Sequence, residues 1–406
     1  IENAIECDKR YTEKLTKEAI KKTGLNNPNS PAQLKKWLSD KVGFEITSLT
    51  KESIPEILKQ VDDENVVRIL ELRKLMSKTS IKKYEAMKLA KGNDNRVRGL
   101  LQFYGANRTG RWAGRLVQVQ NLPQNHIEDL DLARNLLKEG DFDLIELLYD
   151  SVPDVLSQLI RTAFIPSEGH RFIVSDFSAI EARVIAWLAG EKWRLDVFNS
   201  HGKIYEASAS QMFKIPIENI KKGSELRQKG KLAELSNGYG GSVGALISMG
   251  AIKMGLKEEE LQPIVTAWRN ANPNITKFWW DVDKAAKKAI KDRTIVEIQH
   301  GIKFIYNPGV LFIELPSSRR LSYLRPKIEP HTTFSGDKIT YEGMEQTSKQ
   351  WKRIDTYGPK LVENIVQATA RDCLREAMFN VTDAGYSIVM HVHDELVIDV
   401  DKKGGS

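Results

Sequence analysis

The sequence predicts an α+β protein, because helical and strand-forming stretches are segregated along the chain. Residues 1 to about 98 and 200 to 290 carry apolar residues at helical spacing. Residues 295 to 350 alternate like strands and turns, and "YSIVMHVHDELVIDV" near the C-terminal end reads as two strands joined by a tight turn at His393-Asp394-Glu395. Runs of helices followed by runs of strands, without regular βαβ alternation, are the pattern of that fold class.

A chain of 406 residues suits two or three packed subdomains better than one small core. At 41% hydrophobic and 28% charged, it has the composition of a globular protein, which excludes a mainly disordered chain or a fibre. No apolar run approaches the ~18–20 residues of a membrane span. The opening "IENAIECDKRYTEK" has no signal-peptide pattern. Cys7 and Cys373 can make neither a disulfide framework nor a cysteine zinc site. They are predicted as free thiols in a reducing compartment, the cytoplasm, with no membrane partner. The net charge of +7 is a mild excess, compatible with a polyanionic partner and weak as a sign of one.

In "CDKRYTEKLTKEAIKK", Tyr11, Leu15, Ala19 and Ile20 form one stripe. Ser30 is placed to cap a helix with Pro31 at its first position. "ENVVRILELRKLMSKTSIKKYEAMKLA" reads as one or two long helices, which suits a solvated bundle or a grip on a duplex backbone. In "LLQFYGANRTGRWAGRLVQVQNLPQ", glycines among Arg108, Arg111 and Arg115 let the backbone approach a phosphate, and "RLVQVQNL" alternates like a strand. Residues 125 to 163 read as connecting helices.

"HRFIVSDFSAIEARVIAWLAG" predicts a short buried strand over Phe172, Ile173 and Val174. A helix follows, with Ile180, Val184, Trp187 and Leu188 on one face up to Gly190. Asp176 falls where strand passes to helix, a common ligand position, although an aspartate there is more often a cap. In "ELRQKGKLAELSNGYGGSVGAL", Arg227, Lys231, Leu235 and Tyr239 recur every four residues. Each step turns roughly 40° on a helix, so they share a slowly spiralling face. That face suits a triphosphate and its base, or simply a basic amphipathic helix with a glycine cap. "TYGPKLVENIVQATARDCLREAMFNV" predicts a helix with Leu361, Ile365, Ala368 and Cys373 or Leu374 near one side. Two carboxylates at a hairpin tip, Asp394 and Glu395, have no obvious stabilising purpose there. The histidines His391 and His393 are weak as a zinc site.

In their order, these segments resemble the family A DNA polymerases (the DNA polymerase I family), most closely the phage branch. "DFSAIEARVIAWLAG" is similar to the first carboxylate motif, "RQKGKLAELSNGYGG" to the nucleotide-binding helix and "HVHDELVID" to the second carboxylate motif. "TGRWAGRLVQVQNLP" and "ENIVQATARD" resemble accessory motifs that touch primer and template. The resemblance implies a right-hand fold with an antiparallel palm sheet. It predicts a thumb at 1–99, the first part of the palm at 100–190, fingers at 191–350 and the second part of the palm at 351–406.

It further implies a DNA-templated DNA polymerase of replication or repair, adding deoxynucleotides to a primer 3′-hydroxyl with pyrophosphate release. Two Mg²⁺ ions, with Mn²⁺ as a substitute, would be held by Asp176, Asp394 and the main-chain carbonyl of Phe177, with Glu395 in support. Arg227 and Lys231 would hold the triphosphate, with Lys231 also protonating the leaving pyrophosphate. Tyr239 would stack near the incoming base, and Glu181 would block a ribose 2′-hydroxyl. Arg111, Gln120, Gln367 and His393 would touch primer–template DNA. Leu235 replaces an aromatic residue of the bacterial members, Ala179 the usual Gln and Glu363 a common Asn; none of these is a metal ligand. The alternatives are a single-subunit RNA polymerase, which Glu181 argues against, and a non-catalytic DNA-binding module, which the intact Asp176, Asp394, Arg227 and Lys231 argue against.

Lys78, Lys82 and Lys83 are predicted to touch duplex phosphates. No proofreading exonuclease is predicted in this chain, since an editing domain takes roughly 100–200 residues with its own carboxylate cluster. The palm is expected to be incomplete after Asp394, with a continuation or a separate fragment completing it.

Overall fold

The computed structural model describes every residue except 52, 78–80, 332–335 and 404–406. Lys78 therefore lies outside the described residues. The chain packs into two compact units, one of Ile1–Gln102, Ala113–Phe172 and Asp401–Lys403, the other of Phe103–Trp112 and Ile173–Val400.

The first unit is helical. It contains α1 (Glu2–Thr23), α2 (Pro31–Val42), α3 (Ser53–Leu58), α4 (Glu64–Met76) and α5 (Lys82–Ala90). A short antiparallel pair, β1 (Leu101–Gln102) and β2 (Ala113–Gly114), precedes α6 (Leu130–Glu139), α7 (Phe142–Leu148) and α8 (Val152–Leu159). Local sequence sets the helix ends. Ser30 Oγ accepts from the Gln33 amide with Pro31 at the first position, as predicted, and Gly43 at φ 75° stops α2. Asp63 caps α4 by accepting from the amides of Asn65 and Val66. Leu15, Ala19, Leu34, Leu38, Ile69 and Leu70 fill the core. Tyr84 is almost fully buried, and its hydroxyl donates to the Leu156 carbonyl at 2.7 Å.

In the second unit, β3 (His170–Asp176) enters from the first and leads to α9 (Ile180–Ala189), α10 (Lys192–Asn199), α11 (Ile204–Phe213) and α12 (Glu225–Asn237). Then come α13 (Val243–Ser248), α14 (Glu258–Ala271) and α15 (Pro273–Asp292). Strands β4 (Ile295–Glu297), β5 (Lys303–Asn307), β6 (Val310–Glu314), β7 (Arg320–Pro330), β8 (Asp337–Met344) and β9 (Trp351–Thr356) form an antiparallel meander in sequence order. Helix α16 (Gly358–Asp383) and the hairpin β10 (Ser387–Val392) and β11 (Glu395–Asp401) complete the unit. The hairpin joins β3 in a sheet of order β10-β11-β3. Helix α15 backs the meander, with Trp268, Phe278, Phe304, Ile313 and Ile365 in one core. On α16, Leu361, Ile365, Ala368 and Leu374 are buried while Cys373 is exposed. Among the described residues, no helix is long and apolar enough to cross a membrane.

Several sequence expectations need correction. The stretch "RLVQVQNL" is not a strand beyond Gly114: Leu116 and Gln118 take φ of 52° and 51°, and a 3-10 turn covers Val119–Asn121. Val117 and Val119 are buried, so alternation of burial arises from tight turns instead of a pleat. The apolar run in β3 forms a strand but not a buried one, since Ile173 is 37% and Val174 55% exposed. Successive residues point to opposite faces, so neither face of this edge strand is sealed there. On α1, Ile20 faces solvent beside the buried Leu15 and Ala19. On α9, Trp187 is exposed, its ring 4.3 Å from that of His300.

Cys7 is 2% exposed, and burial pushes its thiol up to about 12. A thiol reagent applied to the native protein at about pH 8 should label Cys373 and spare Cys7, because Cys373 is open to solvent, although burial of its sulfur and Asp372 raise its thiol too and slow the labelling. Unfolding in urea should expose both, and counting labelled thiols before and after denaturation checks it.

Candidate functional site

In the second unit, a cleft of about 420 Å³ is lined by Asp176, Phe177, Glu181, Leu235, Tyr239 and Asp394, among others. Asp176 is the last residue of β3, and the chain then turns sharply. Ser178 donates its amide to the Asp176 carbonyl at 3.1 Å, and Ala179 takes φ 53° before α9 starts. Asp176 is thus not the helix cap, a position held by Ala179, which has no side-chain cap. The Phe177 amide donates to the Asp394 carbonyl at 3.1 Å, tying the end of β3 to the tip of the β10–β11 hairpin. His393 at that tip adopts φ 51° and is exposed, while Asp394 and Glu395 are half-buried.

A chain of polar contacts runs across this junction. Tyr239 donates its hydroxyl to Glu181 Oε2 at 2.7 Å, and Arg111 donates Nη1 to Glu181 Oε1 at 2.9 Å. Arg111 Nη2 lies 3.5 Å from Asp394 Oδ1. Burial, with the Glu181 charge, holds the Tyr239 phenol well above its ordinary range, so it stays a donor. Burial also raises the Asp394 carboxyl, the charges of Glu181 and Asp176 add to this, and Arg111 and His393 oppose it. The site therefore gathers carboxylate charge that Arg111 and His393 only partly offset.

The loop bearing Arg111 is firmly held. Arg371 on α16 donates Nε to the Gly110 carbonyl at 3.2 Å, and its guanidinium sits 4.5 Å from the Trp112 ring centroid. Trp112 also meets His391 edge-on at 4.7 Å. Gly110 is required at φ 74°, since a Cβ would come within 2.6 Å of the Tyr104 ring and of Arg319. Sequence reasoning missed Arg371, Trp112 and His391 as supports. A charged residue among the apolar positions of "IVQATARD" was the available signal.

Helix α12 supplies the other wall. Ser224 caps it by accepting from the Arg227 amide, and Leu235, 53% exposed, opens onto the cleft. Lys231 is exposed, and Arg227 donates Nε to Glu206 at 2.7 Å. Next to Leu235, and also along the cleft, Glu234 forms a sealed pair with Arg194, the side chains 4% and 1% exposed. Trp268 Nε1 donates to Glu234 at 2.9 Å and Arg194 Nη1 to the Asn272 amide oxygen at 3.0 Å. Nothing in the four-residue repeat signalled that pair.

Gln367 is half-buried on α16 and, like Glu363, lies outside the cleft lining. Gln120 belongs to the first unit, where its amide packs on Gly114 so closely that a Cβ there would clash. Lys83 donates to the carbonyls of Val117 and Gln118, and burial lowers its ammonium. It fastens that turn, whereas Lys82 is exposed. Among the described residues, no cluster of three or more His, Cys, Asp or Glu side chains could hold a metal by itself.

The model of DNA polymerase family A matches residues 4–404. The chain is 64% identical over 402 residues to a DNA polymerase of Bacillus phage SP02, covering 99% of this chain and 62% of that protein. It is 25% identical over 253 residues to the thermostable DNA polymerase I of Thermus aquaticus, covering 61% of this chain and 25% of the relative. A solved structure, the polymerase domain of Pol1 from M. smegmatis in complex with DNA primer-template and dNTP, matches at a TM-score of 0.60 and 19% identity, covering 98% of this chain and 60% of that one. The chain thus spans less than two thirds of the length of these relatives.

Arg111→Leu should destabilise the fold by about 1.5–3 kcal/mol near neutral pH, the range for bonds to charged groups, because Glu181 and Asp394 lose their counter-charge. The penalty exists while Asp394 is ionised and, because burial and its acidic neighbours raise that carboxyl, should fade as pH falls through a range above the ordinary aspartate one. Urea unfolding of both proteins at pH values on either side of that range measures it.

Proposed function

The chain belongs to DNA polymerase family A, and on that premise we propose that it carries the polymerising site of a DNA-templated DNA polymerase. One observation supports this above the rest: Asp176 and Asp394 meet across the Phe177–Asp394 backbone bond in a cleft that α12 also lines. The proposed substrates are primer–template DNA and deoxynucleoside triphosphates. The proposed setting is replication or repair.

The donor set fits divalent metal. The two carboxylates and the Phe177 carbonyl are hard oxygen ligands, and the charges of Glu181 and Asp176, which add to burial in raising the Asp394 carboxyl, favour a dication. Two Mg²⁺ or Mn²⁺ ions, when bound, lower the pKa of the primer 3′-hydroxyl and neutralise the triphosphate and the leaving oxygen. Asp176, Asp394 and the Phe177 carbonyl would hold them, with Glu395 in support. Arg227 and Lys231 would grip the triphosphate, and Lys231 would give a proton to the departing pyrophosphate as the primer oxygen bonds to the α-phosphorus.

Glu181, fixed on both oxygens by Arg111 and Tyr239, cannot swing aside, so it would exclude a ribose 2′-hydroxyl. Tyr239 would stack near the incoming base. Leu235 offers an apolar surface in the cleft where bacterial relatives would present an aromatic ring. Arg111, Gln120, Gln367 and His393 would contact primer and template. Residues 1–99 are proposed as the thumb, 191–350 as the fingers, and 100–190 with 351–406 as the palm.

Asp176→Ala or Asp394→Ala should lower primer extension with Mg²⁺ by on the order of 10³ or more, about 4 kcal/mol in barrier. Primer–template binding should stay within a few-fold of the unaltered protein. Extension near the unaltered rate by either variant would overturn the site assignment. Glu181→Ala should raise ribonucleotide use relative to deoxynucleotide use in single-nucleotide incorporation, and an unchanged ratio would remove the sugar gate.

Duplex affinity should fall linearly on a log–log salt plot, each phosphate contact contributing about 0.9 to the slope. Lys82→Ala should reduce that slope by about one contact for every duplex sequence. Lys83→Ala should instead loosen the 116–121 turn, which limited proteolysis would register.

A further inference from the structure

Arg227 is the third residue of α12, its amide already fixed by the Ser224 cap. Its guanidinium makes an ion pair with a carboxylate from the preceding helix, Glu206 on α11, at 2.7 Å through Nε. The two side chains are only 21% and 13% exposed. The neighbouring residue of α11, Tyr205, places its ring 5.5 Å from the Arg227 guanidinium carbon and also lines the cleft. A guanidinium held at Nε still presents its two terminal nitrogens as a fork, the geometry that engages phosphate oxygens in pairs.

A second, independent feature brings these helices together. Gly230 faces α11 so closely that a Cβ there would stand 2.3 Å from the Tyr205 carbonyl oxygen and 3.0 Å from the Ala209 Cβ. No side chain fits in that gap, and the close approach is what lets Glu206 reach Arg227. Burial alone would raise the Glu206 carboxyl, but the bond to Arg227 and its charge, helped by Lys203, outweigh it and keep the carboxyl below its ordinary range. Glu206 therefore stays ionised and paired at neutral pH.

We propose that Glu206 is a positioning residue for the triphosphate: it pins the Arg227 side chain by Nε against Tyr205, so that the fork is already aimed when a nucleoside triphosphate arrives. The inference rests on the reading of Arg227 as a triphosphate ligand. Its effect is pre-organisation. A free arginine loses side-chain entropy on closing over phosphate, and a pinned one has lost it already. The carboxylate also cancels one positive charge, which favours release of pyrophosphate after transfer.

The test is single-nucleotide incorporation by the whole chain on a primer–template, with Glu206→Ala, Glu206→Gln, Arg227→Ala and the double variant Glu206→Ala/Arg227→Ala. Glu206→Ala should raise KM for the dNTP about tenfold with kcat changed by no more than about twofold, the signature of lost binding shared by ground and transition states. Glu206→Gln, whose amide oxygen can still accept from Nε, should recover most of that affinity. The double variant should bind dNTP no worse than Arg227→Ala alone, since a positioning residue has nothing left to position. Primer–template affinity measured on the same samples should be unchanged, which separates the effect from misfolding. As a route that leaves both side chains in place, Gly230→Ala should raise KM in the same direction by moving α11 away from α12.

An unchanged or lowered KM in Glu206→Ala, or additive losses in the double variant, would overturn the role of Glu206. If Arg227→Ala itself leaves KM unaltered, the nucleotide-site reading fails instead, and the two failures are told apart by that one variant.

Discussion

The constraint on which the rest of the site depends is the crowding of carboxylates at the junction of β3 and the β10–β11 hairpin. Asp176, Glu181 and Asp394 are close enough for the charges of the first two to raise the carboxyl of the third. Like charges at such range destabilise a fold unless something answers them. Arg111 answers two of the three, and its own position is over-determined. Its loop is closed by the Gly110–Ala106 backbone bond, held by Arg371 and packed edge-on against His391 through Trp112. After that compensation, burial and the charges of Glu181 and Asp176 still leave the Asp394 carboxyl above its ordinary range. The stacking of Arg371 on Trp112 is therefore part of the electrostatics of the site, two contacts removed.

The other wall is organised by a different kind of compensation. On helix α12, Lys231 and Leu235 are exposed and Arg227 is half-buried, while much of the rest of the helix is sealed. Gly230, Leu232, Ala233, Ser236 and Asn237 are buried, and Glu234 reaches back to Arg194 and Trp268. A sealed ion pair contributes little net stability against a well-packed apolar alternative, but losing one partner strands the other. Its consequence is geometrical: α10, α12 and α14 are locked in one register, so the outward face of α12 cannot rotate independently of the cleft. Leu235 stays exposed in the same cleft, an open apolar side chain next to the sealed pair.

Much of this was legible in the sequence, and the boundary of legibility is physical. Local rules carried far: Ser30 and Pro31 fixed the start of α2, Gly190 the end of α9, and the alternation after residue 295 announced a sheet that forms as a sequential meander. The cleft residues were legible through the resemblance to family A polymerases, and Asp176, Glu181, Leu235, Tyr239 and Asp394 do line one cavity. Their individual roles are a matter for assay. What failed was any inference that needed the partner of a residue. The apolar run in β3 looked buried because hydrophobicity marks a strand but not what covers it. The alternation around Val117 looked like a pleat because two turns with positive φ bury every second residue just as a strand does. Lys83 looked like one basic residue among many because sequence cannot show a turn on its far side offering carbonyls. The Arg194–Glu234 pair was invisible for the same reason.

The four-residue repeat on α12 illustrates how far a pattern can be pushed. Spacing alone allowed two readings, a basic amphipathic helix with a glycine end or a phosphate-facing surface. Three structural facts separate them. Gly230 interrupts the helix where a helix former would be preferred, and a glycine inside a helix costs about 1 kcal/mol relative to alanine. That cost is tolerated because α11 approaches to within contact of the backbone there. Next, Arg227 is half-sheltered and paired, whereas a solvated helix would leave its cation free in water. Finally, Leu235 and Tyr239, the apolar members of the repeat, face the cavity that also contains Asp176 and Asp394. A merely solvated face has no need of the glycine, the half-buried counter-ion or the open leucine. Together they mark α12 as a helix packed tightly on α11 and open to the cavity at Leu235 and Tyr239.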